Sequence, residues 1–391
     1  MMEHAEDIGV GTETPSSARV ALIHEWFDTL GGSERVLEQL LYEYPNAEVF
    51  ALVDFMDAHE RAFLGSRAVH TSFLQHLPGA RKRFRLYLPL MPLAVEQFDL
   101  SNFDIVISSS HAVAKGVVTG PDQLHVSYVH SPMRYAWDLQ HEYLRNSGLD
   151  RGVRSWLARA ALHYLRTWDV RTANGVDTFV ANSAFIANRI RKVYRREAEV
   201  VYPPVDVEHF TPSSAKDTYY LTTSRLVPYK RVDVIVEAFR QMPDRRLLVV
   251  GAGPEMRRIE RLAPRNVELL GYQSFDRVLD LTQRARAFVF ASLEDFGIAP
   301  VEAQACGTPV IAYGRGGSRE TVRPLQDASP TGVFFESQTP QAIVAAIRLF
   351  EANEDRFDPA AARENALRFS PEAFRNAFRI AVFRALDALR R

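Results

Sequence analysis

The sequence predicts an α/β protein of two domains, each a parallel sheet covered by helices on both faces. Three observations carry this reading. At 391 residues the chain is longer than one ordinary core organises, so two domains are expected. Short apolar runs alternate with longer amphipathic ones, which is how strand–helix units of a parallel sheet read. The alternation breaks once, at "EVVYPPVDVEHFTPSSAKDTYY" (199–220), and then restarts.

The elements follow in order. "RVALIHE" is a buried strand, and "GGSERVLEQLLYEY" is a helix with Val36, Leu37, Leu40, Leu41 and Tyr44 at three-to-four spacing. Further strands are expected at 49–54, "FDIVISSS" (103–110), "HVSYVHS" (125–131) and "DTFVANS" (177–183), with a long helix over 153–174. The break at 199–220 contains Pro-Pro, which enforces extended backbone, so the interdomain linker is placed at 201–218. Beyond it come "YYLTTSRL", a helix over 231–241, "RLLVVGAG", a helix over 254–263, "VELLGY", a helix over 274–285, "AFVFAS", a helix over 300–306 and "PVIAYG". Ser370 and Pro371 are the N-cap and first residue of a last helix. The domains are thus 19–200 and 219–370, with a final helix at 371–391; ligands of such sheets bind at the C-terminal strand ends, in a cleft.

Composition narrows the function. A net charge of −1 and 24% charged residues give no polyelectrolyte character that would suit nucleic acid. Between Arg61 and Arg196, however, 19 Lys/Arg face 9 Asp/Glu, an excess of ten that the acidic N-terminus masks in the total. A single cysteine, Cys306, excludes an intrachain disulfide, and its Ala and Gly neighbours read as a buried helix. Residues 1–18, with four acids and no apolar segment, read as a flexible tail and not a signal peptide. No run reaches about 18 apolar residues, and a cytoplasmic protein is expected.

Three motifs carry chemistry. "VVGAGPEM" has Gly251 and Gly253 but Met256 at the third glycine position, so it reads as a tight strand–helix turn and not a dinucleotide fingerprint. In "TSRLVPYKRVD", Arg225 and Lys230 flank the end of a strand and the start of a helix, a site suited to a diphosphate. In "SLEDFGIAPVEAQACG", Glu294 and Glu302 flank a turn whose backbone amides, at Phe296, Gly297 and Ile298, face a ligand. Carboxylates of this kind accept hydrogen bonds from sugar hydroxyls. Glu302 also falls among small and apolar neighbours on its helix, where a carboxylate needs a partner.

In this order the motifs resemble family 4 of the retaining, nucleotide-sugar-dependent glycosyltransferases, whose fold of two Rossmann-like domains facing across a cleft is called GT-B. "EDFGIAPVEA" is similar to the family's E-x7-E signature, "SRLVPYKRVD" to its diphosphate site and "GGSERV" to its N-terminal glycine loop. "LPLAVEQFDLSNFDIVISSSHAVAKGV" and "YVHSPMRYAWD" resemble the mannosyltransferases of bacterial O-antigen and exopolysaccharide synthesis. The resemblance implies a hexose, with mannose from GDP-mannose foremost, moved to a lipid-linked or saccharide acceptor, and a last helix (371–391) packed back on the N-terminal domain. It implies that Arg225 and Lys230 neutralise the leaving diphosphate with help from amides at Gly31 and Gly32. Glu302 would hold the ribose, Glu294 the hexose, Tyr272 the base, and His130 would touch the hexose. No D-x-D motif is present, so neither a metal nor a cofactor besides the donor is expected.

Arg134, Tyr135 and Trp137 are either acceptor-side residues or packing residues. The Arg-rich stretches at 79–93 and 145–171 are either a surface for anionic membrane, at the inner face of the plasma membrane, or a solvated face over a core helix. A UDP- or dTDP-sugar donor, a nucleotide-sugar epimerase and a non-catalytic nucleotide-sugar-binding protein are the competing readings.

Overall fold

The computed structural model of the chain describes residues 18–213 and 215–391, so the expected tail at 1–18 lies, but for Ala18, outside the described residues. The chain divides into two compact units: residues up to Ala181 with Ile186–Val201 and Arg375–Arg391, and Asn182–Phe185 with Tyr202–Phe374.

The first unit holds seven strands: β1 (Val20–His24), β2 (Glu48–Ala51), β3 (Val69–Thr71), β4 (Ile105–Ser110), β5 (Leu124–Val129), β6 (Thr178–Ala181) and β7 (Ala198–Val200). They form one parallel sheet in the order β3-β2-β1-β4-β5-β6-β7. Residues of β1, β4 and β5 are buried on both faces, which is why these strands read as near-continuous apolar runs. The core joins Ala21, Ile23 and Val106 to Phe84, Met91, Leu162 and Trp168 from helices on one face. The long helix runs over Gly152–Thr172. Within the same unit, Arg379 of the last helix (Pro371–Leu389) pairs with both carboxylate oxygens of Glu43, at 2.5 and 3.0 Å.

The second unit holds β8 (Tyr220–Thr223), β9 (Leu247–Val250), β10 (Val267–Gly271), β11 (Ala287–Phe290), β12 (Val310–Tyr313) and β13 (Gly332–Phe335). They too form one parallel sheet, in the order β10-β9-β8-β11-β12-β13. Both orders contain the doubly wound 3-2-1-4-5-6 arrangement, whose ligands sit at the carboxyl ends of the strands where the order reverses. In each unit that reversal falls beside the first strand, β1 or β8.

The segment 201–218, expected as a linker, belongs from Tyr202 onward to the second unit. Val205, Val207 and Phe210 are buried with Phe296, Val301 and Phe369, and the Val205 amide donates to the Phe369 carbonyl at 2.8 Å. Pro203 and Pro204 straighten the backbone and are themselves buried. Strands β3, β7 and β13 were not foreseen.

Candidate active site

In the second unit the site is built where β8 and β11 end. β11 stops at Phe290, and Ser292 and Glu294 follow it. β8 stops at Thr223, so Arg225 lies two residues beyond the strand and not at its end; Lys230 closes a short 3-10 turn, Pro228–Lys230, and the helix begins at Val232. The Lys230 ammonium donates to Glu294 Oε1 at 2.5 Å, and the Ser292 hydroxyl donates to the same oxygen at 2.8 Å. The two charged side chains retain 20% and 17% of their surface, enough to meet a ligand and too little to move freely. Arg225 is exposed, and among the described residues no hydrogen bond joins it to this cluster.

The Phe-Gly turn is rigid for reasons of packing. The Phe296 ring is buried against Tyr202 and Phe369, at centroid distances of 5.8 and 5.3 Å, so this residue offers a ligand its backbone and not its ring. Gly297 has φ +92°, a conformation that favours glycine, and starts the helix Ile298–Ala305. That helix is held by Gln304, buried and bonded to Pro300 and Thr321 carbonyls and to Asn365. Its N-terminal amides lack intrahelical acceptors and bear partial positive charge. From the other side, Gly317 donates to the Glu294 carbonyl at 2.9 Å, and a Cβ there would meet the Phe296 oxygen at 2.2 Å. Glu302 is half-buried on the same helix, and Tyr272, 85% exposed, follows β10.

Gly251 and Gly253 have a packing task. A Cβ on either would meet the Ser224 or Leu226 carbonyl, at 1.9 and 2.3 Å, so the glycines let this turn lie on the loop that carries Arg225. Cys306 is buried, and burial pushes its thiol up to about 12, which leaves it inert.

In the first unit the polar groups lie below the surface. His130 directly follows β5, and its Nε2 is 2.9 Å from Ser109 Oγ. Burial, with His111 and His24 adding to it, lowers the His130 pKa to about 3, so the imidazole is neutral. Ser109 also lies 3.2 Å from His24 Nδ1, and His24 Nε2 lies 3.2 Å from Glu34. Burial alone would raise Glu34, but the His24 hydrogen bond and charge lead the opposing contributions that bring it down to about 2. Glu34 accepts the Gly31 amide at 2.8 Å, so that amide already has a partner within the first unit.

Two further clusters escaped the sequence reading. Glu25, fully buried, accepts the amides of His111, Ala112, Val113 and Ala114 at 2.7–3.0 Å, fixing the loop after β4. Lys115 pairs with buried Asp169 at 2.6 Å. Trp137 donates to that same Asp169 at 2.8 Å, so its indole N–H is engaged within the unit. Arg134 is half-buried and donates to Ser131 at 3.3 Å. Tyr135 differs: its hydroxyl is buried with no partner among the described residues, and its ring lines an apolar cavity of about 530 Å³ with Trp26, Arg85, His111, Tyr143 and Leu162. Val153, Trp156 and Leu157 stand out from the Gly152–Thr172 helix, each at least 68% exposed. No helix among the described residues is long and apolar enough to cross a membrane.

Known proteins resemble the chain over both units. Residues 30–209 match the family model described as Glycosyltransferase Family 4, and residues 206–369 match that described as Glycosyl transferases group 1. A GDP-mannose-dependent monoacylated alpha-(1-6)-phosphatidylinositol monomannoside mannosyltransferase of Corynebacterium glutamicum is 32% identical over 192 residues, 41% of this chain and 49% of that protein. A D-inositol 3-phosphate glycosyltransferase of Geodermatophilus obscurus is 33% identical over 231 residues, 50% of each. The chain thus spans about half the length of the curated relatives it matches. Among solved structures, Anabaena HepE in complex with UDP and glucose superposes with a TM-score of 0.65 at 19% identity, over 92% of this chain and 98% of that one. Sucrose-phosphate synthase from Thermosynechococcus elongatus gives 0.67 at 18% identity, over 95% and 99%. The chain thus resembles glycosyltransferases in both of its units, and each unit has the parallel-sheet α/β architecture of the GT-B structures.

Proposed function

We propose that the chain is a retaining hexosyltransferase that takes mannose from GDP-mannose and passes it to a lipid-linked or saccharide acceptor in bacterial O-antigen or exopolysaccharide synthesis. The observation that carries the reading is the Lys230–Ser292–Glu294 cluster beside the left-handed Gly297 at a helix start. A cation, oriented carboxylate and helix amides at one strand end suit a ligand that joins a diphosphate to a polyol. The mannosyl donor is supported by the names of relatives, whereas the UDP-bound structural neighbours keep a UDP-sugar as the competing donor.

In this proposal Lys230, Arg225 and the amides of Phe296, Gly297 and Ile298 meet the charge that grows on the departing diphosphate. Glu294, oriented by Ser292 and Lys230, accepts from a hexose hydroxyl; Glu302 accepts from the ribose; Tyr272 lies against the base. His130 contacts the hexose as a neutral group, and Gly32 leads the helix amides that support the phosphate from the first unit. Positive charge comes from side chains, so the scheme uses no resident metal. The acceptor hydroxyl attacks on the face the diphosphate leaves, and the diphosphate takes its proton. An acceptor with a lipid anchor is supported by the Tyr135 cavity and by Val153, Trp156 and Leu157 beside Arg151 and Arg154, a pattern that sits in an anionic headgroup layer at the inner face of the plasma membrane.

Incubating the protein with GDP-[14C]mannose and a membrane lipid extract tests the reading. Label transferred to lipid or saccharide supports it. Transfer from UDP-glucose alone would replace the donor; an epimerised donor, or binding with neither transfer nor hydrolysis, would remove the enzyme assignment. Salt-sensitive flotation with anionic vesicles tests the membrane surface, and flotation that fails at low salt removes it.

A further inference from the structure

The apolar cavity of the first unit, about 530 Å³, is lined by three polar groups with unused hydrogen-bonding capacity. Its walls come chiefly from the 3-10 turn Phe84–Leu90 and the helices Gln140–Asn146 and Gly152–Thr172, with Leu88, Leu144, Ala161 and Leu162 among them. The Tyr135 hydroxyl is buried with no hydrogen-bond partner among the described residues. Arg85 lies over the Trp26 ring, 5.8 Å from its centroid, and its Nη2 donates to Asp28 at 2.5 Å. No other nitrogen of that guanidinium has an acceptor among the described residues. The His111 ring stands perpendicular to Trp26, with centroids 4.8 Å apart, and no hydrogen bond reaches its nitrogens among the described residues. Burial lowers the His111 pKa below the ordinary histidine value, so the ring offers one N–H at pH 7. Glu25 fixes the His111 backbone, and the ring centroid lies 6.3 Å from that of His130. One imidazole thus lines the cavity and neighbours the strand-end histidine.

A ligand for such a cavity is apolar along most of its length and polar at one end. A free saccharide fails the first condition, because its hydroxyls would lose water against Leu88, Leu144 and Leu162 and find few partners. An anionic end suits Arg85 and the exposed Arg81, Lys82 and Arg83 that precede it. The elements that wall the cavity also expose Leu86, Leu90, Val153, Trp156 and Leu157, so apolar surface continues outside it on the same turn and helix. We propose that the cavity seats the hydrocarbon chain of a phosphorylated lipid acceptor, whose phosphate takes hydrogen bonds from Arg85 and His111. The proposal rests on the glycosyl-transfer reading above and selects, of the two acceptor classes named there, the lipid-linked one.

Equilibrium dialysis of the full chain against tritiated farnesyl phosphate, with tritiated farnesol in parallel, tests this seat. Farnesyl phosphate should bind about tenfold or more tightly than farnesol, since hydrogen bonds to a charged group separate the two. His111→Ala should weaken farnesyl phosphate about tenfold and farnesol little. Ala161→Phe fills the cavity and should weaken both about tenfold or more. Ala158→Leu takes its place should Ala161→Phe shift the urea midpoint of tryptophan fluorescence. No binding to the unmodified chain, equal affinity for farnesol, or binding that a folded cavity-filling variant leaves intact overturns the proposal. Sugar transfer to a free saccharide by a chain that binds no farnesyl phosphate overturns it too, and leaves the glycosyl-transfer reading in place. Farnesyl phosphate bound in the cavity of a chain that neither transfers nor hydrolyses any nucleotide sugar does the opposite: the lipid seat stands and the glycosyl-transfer reading falls.

Discussion

The two sheets share a strand order but place their polar side chains differently. In the first unit, His24, Glu25, Ser109 and Ser110 sit at strand ends with 3% exposure or less, and each bonds to another group of the same unit. In the second unit, Lys230 and Glu294 meet at the rim with about a fifth of each side chain still exposed. A buried polar group without partners is costly, so the first arrangement ties chemistry to stability. A rim pair is worth little to the fold, so the second separates them.

Lys230→Ala gives the sharpest contrast. Loss of the cation on a departing diphosphate should cost about 10³-fold in kcat. The unfolding free energy should change by less than about 1 kcal/mol, because the pair with Glu294 is partly screened. Steady-state kinetics with a urea titration measure both; a large loss of stability would break the contrast. Glu25→Ala should do the reverse. It strands four backbone amides, at His111 to Ala114, and should destabilise the first unit by about 3 kcal/mol or more. All four tryptophans, 26, 137, 156 and 168, belong to this unit, so the urea midpoint of tryptophan fluorescence reads the effect there.

Acid should separate the units next. Burial holds His130 at about 3 and His125 at about 4, and it lowers His111 as well. Unfolded histidine titrates near 6.5, so between 6.5 and these values the unfolded chain binds more protons. The contribution is complete above pH 6.5 and is lost as pH falls through that window, by up to about 1.4 kcal/mol per pH unit for each group. Glu34, held at about 2, acts with the same sign lower down, losing its contribution between 4.5 and 2. The second unit's one histidine, His209, is exposed. The tryptophan midpoint should therefore fall between pH 7 and 5, while reaction of buried Cys306 with an acid-tolerant disulfide reagent, which reports the second unit, should shift less. Parallel shifts would show that the buried histidines do not set the difference.

The same contrast explains what the sequence displays. In the second unit the strand end, Phe-Gly turn and helix start occupy one continuous stretch, so Glu294, Gly297 and Glu302 are visible together in a single window. In the first unit the path from Glu34 to His130 draws on β1, the following helix, β4 and the residue after β5, and only the register of the sheet assembles it. His130 was legible from its strand-end position, whereas His24, Glu25, Glu34 and Ser109 were not. A signal was present nonetheless: "IHE" and "SSS" close strands buried on both faces, where every polar side chain needs a partner. Long apolar strands were legible for the same reason, and β3 and β7 were missed because three-residue edge strands such as "VHT" and "AEV" carry no buried run.

The smallest expected effect tests the division of labour within the second unit. Glu302 lies on the Ile298–Ala305 helix that Gln304 and Asn365 anchor, so replacing it should leave the helix in place. If its carboxylate accepts from the ribose, Glu302→Ala removes a charge-assisted hydrogen bond made equally by donor and by free nucleoside diphosphate. Both should bind about tenfold more weakly, with kcat little changed, since a bond present in ground and transition state alike appears as binding. Glu294, facing the hexose, makes no contact with free GDP in this scheme. Glu294→Ala should therefore spare GDP affinity and lower kcat, and it also removes the acceptor that orients Lys230. Calorimetric titration with GDP, set beside the kinetics of both variants, separates the roles; equal losses of GDP affinity would mean that the two carboxylates serve one end of the donor.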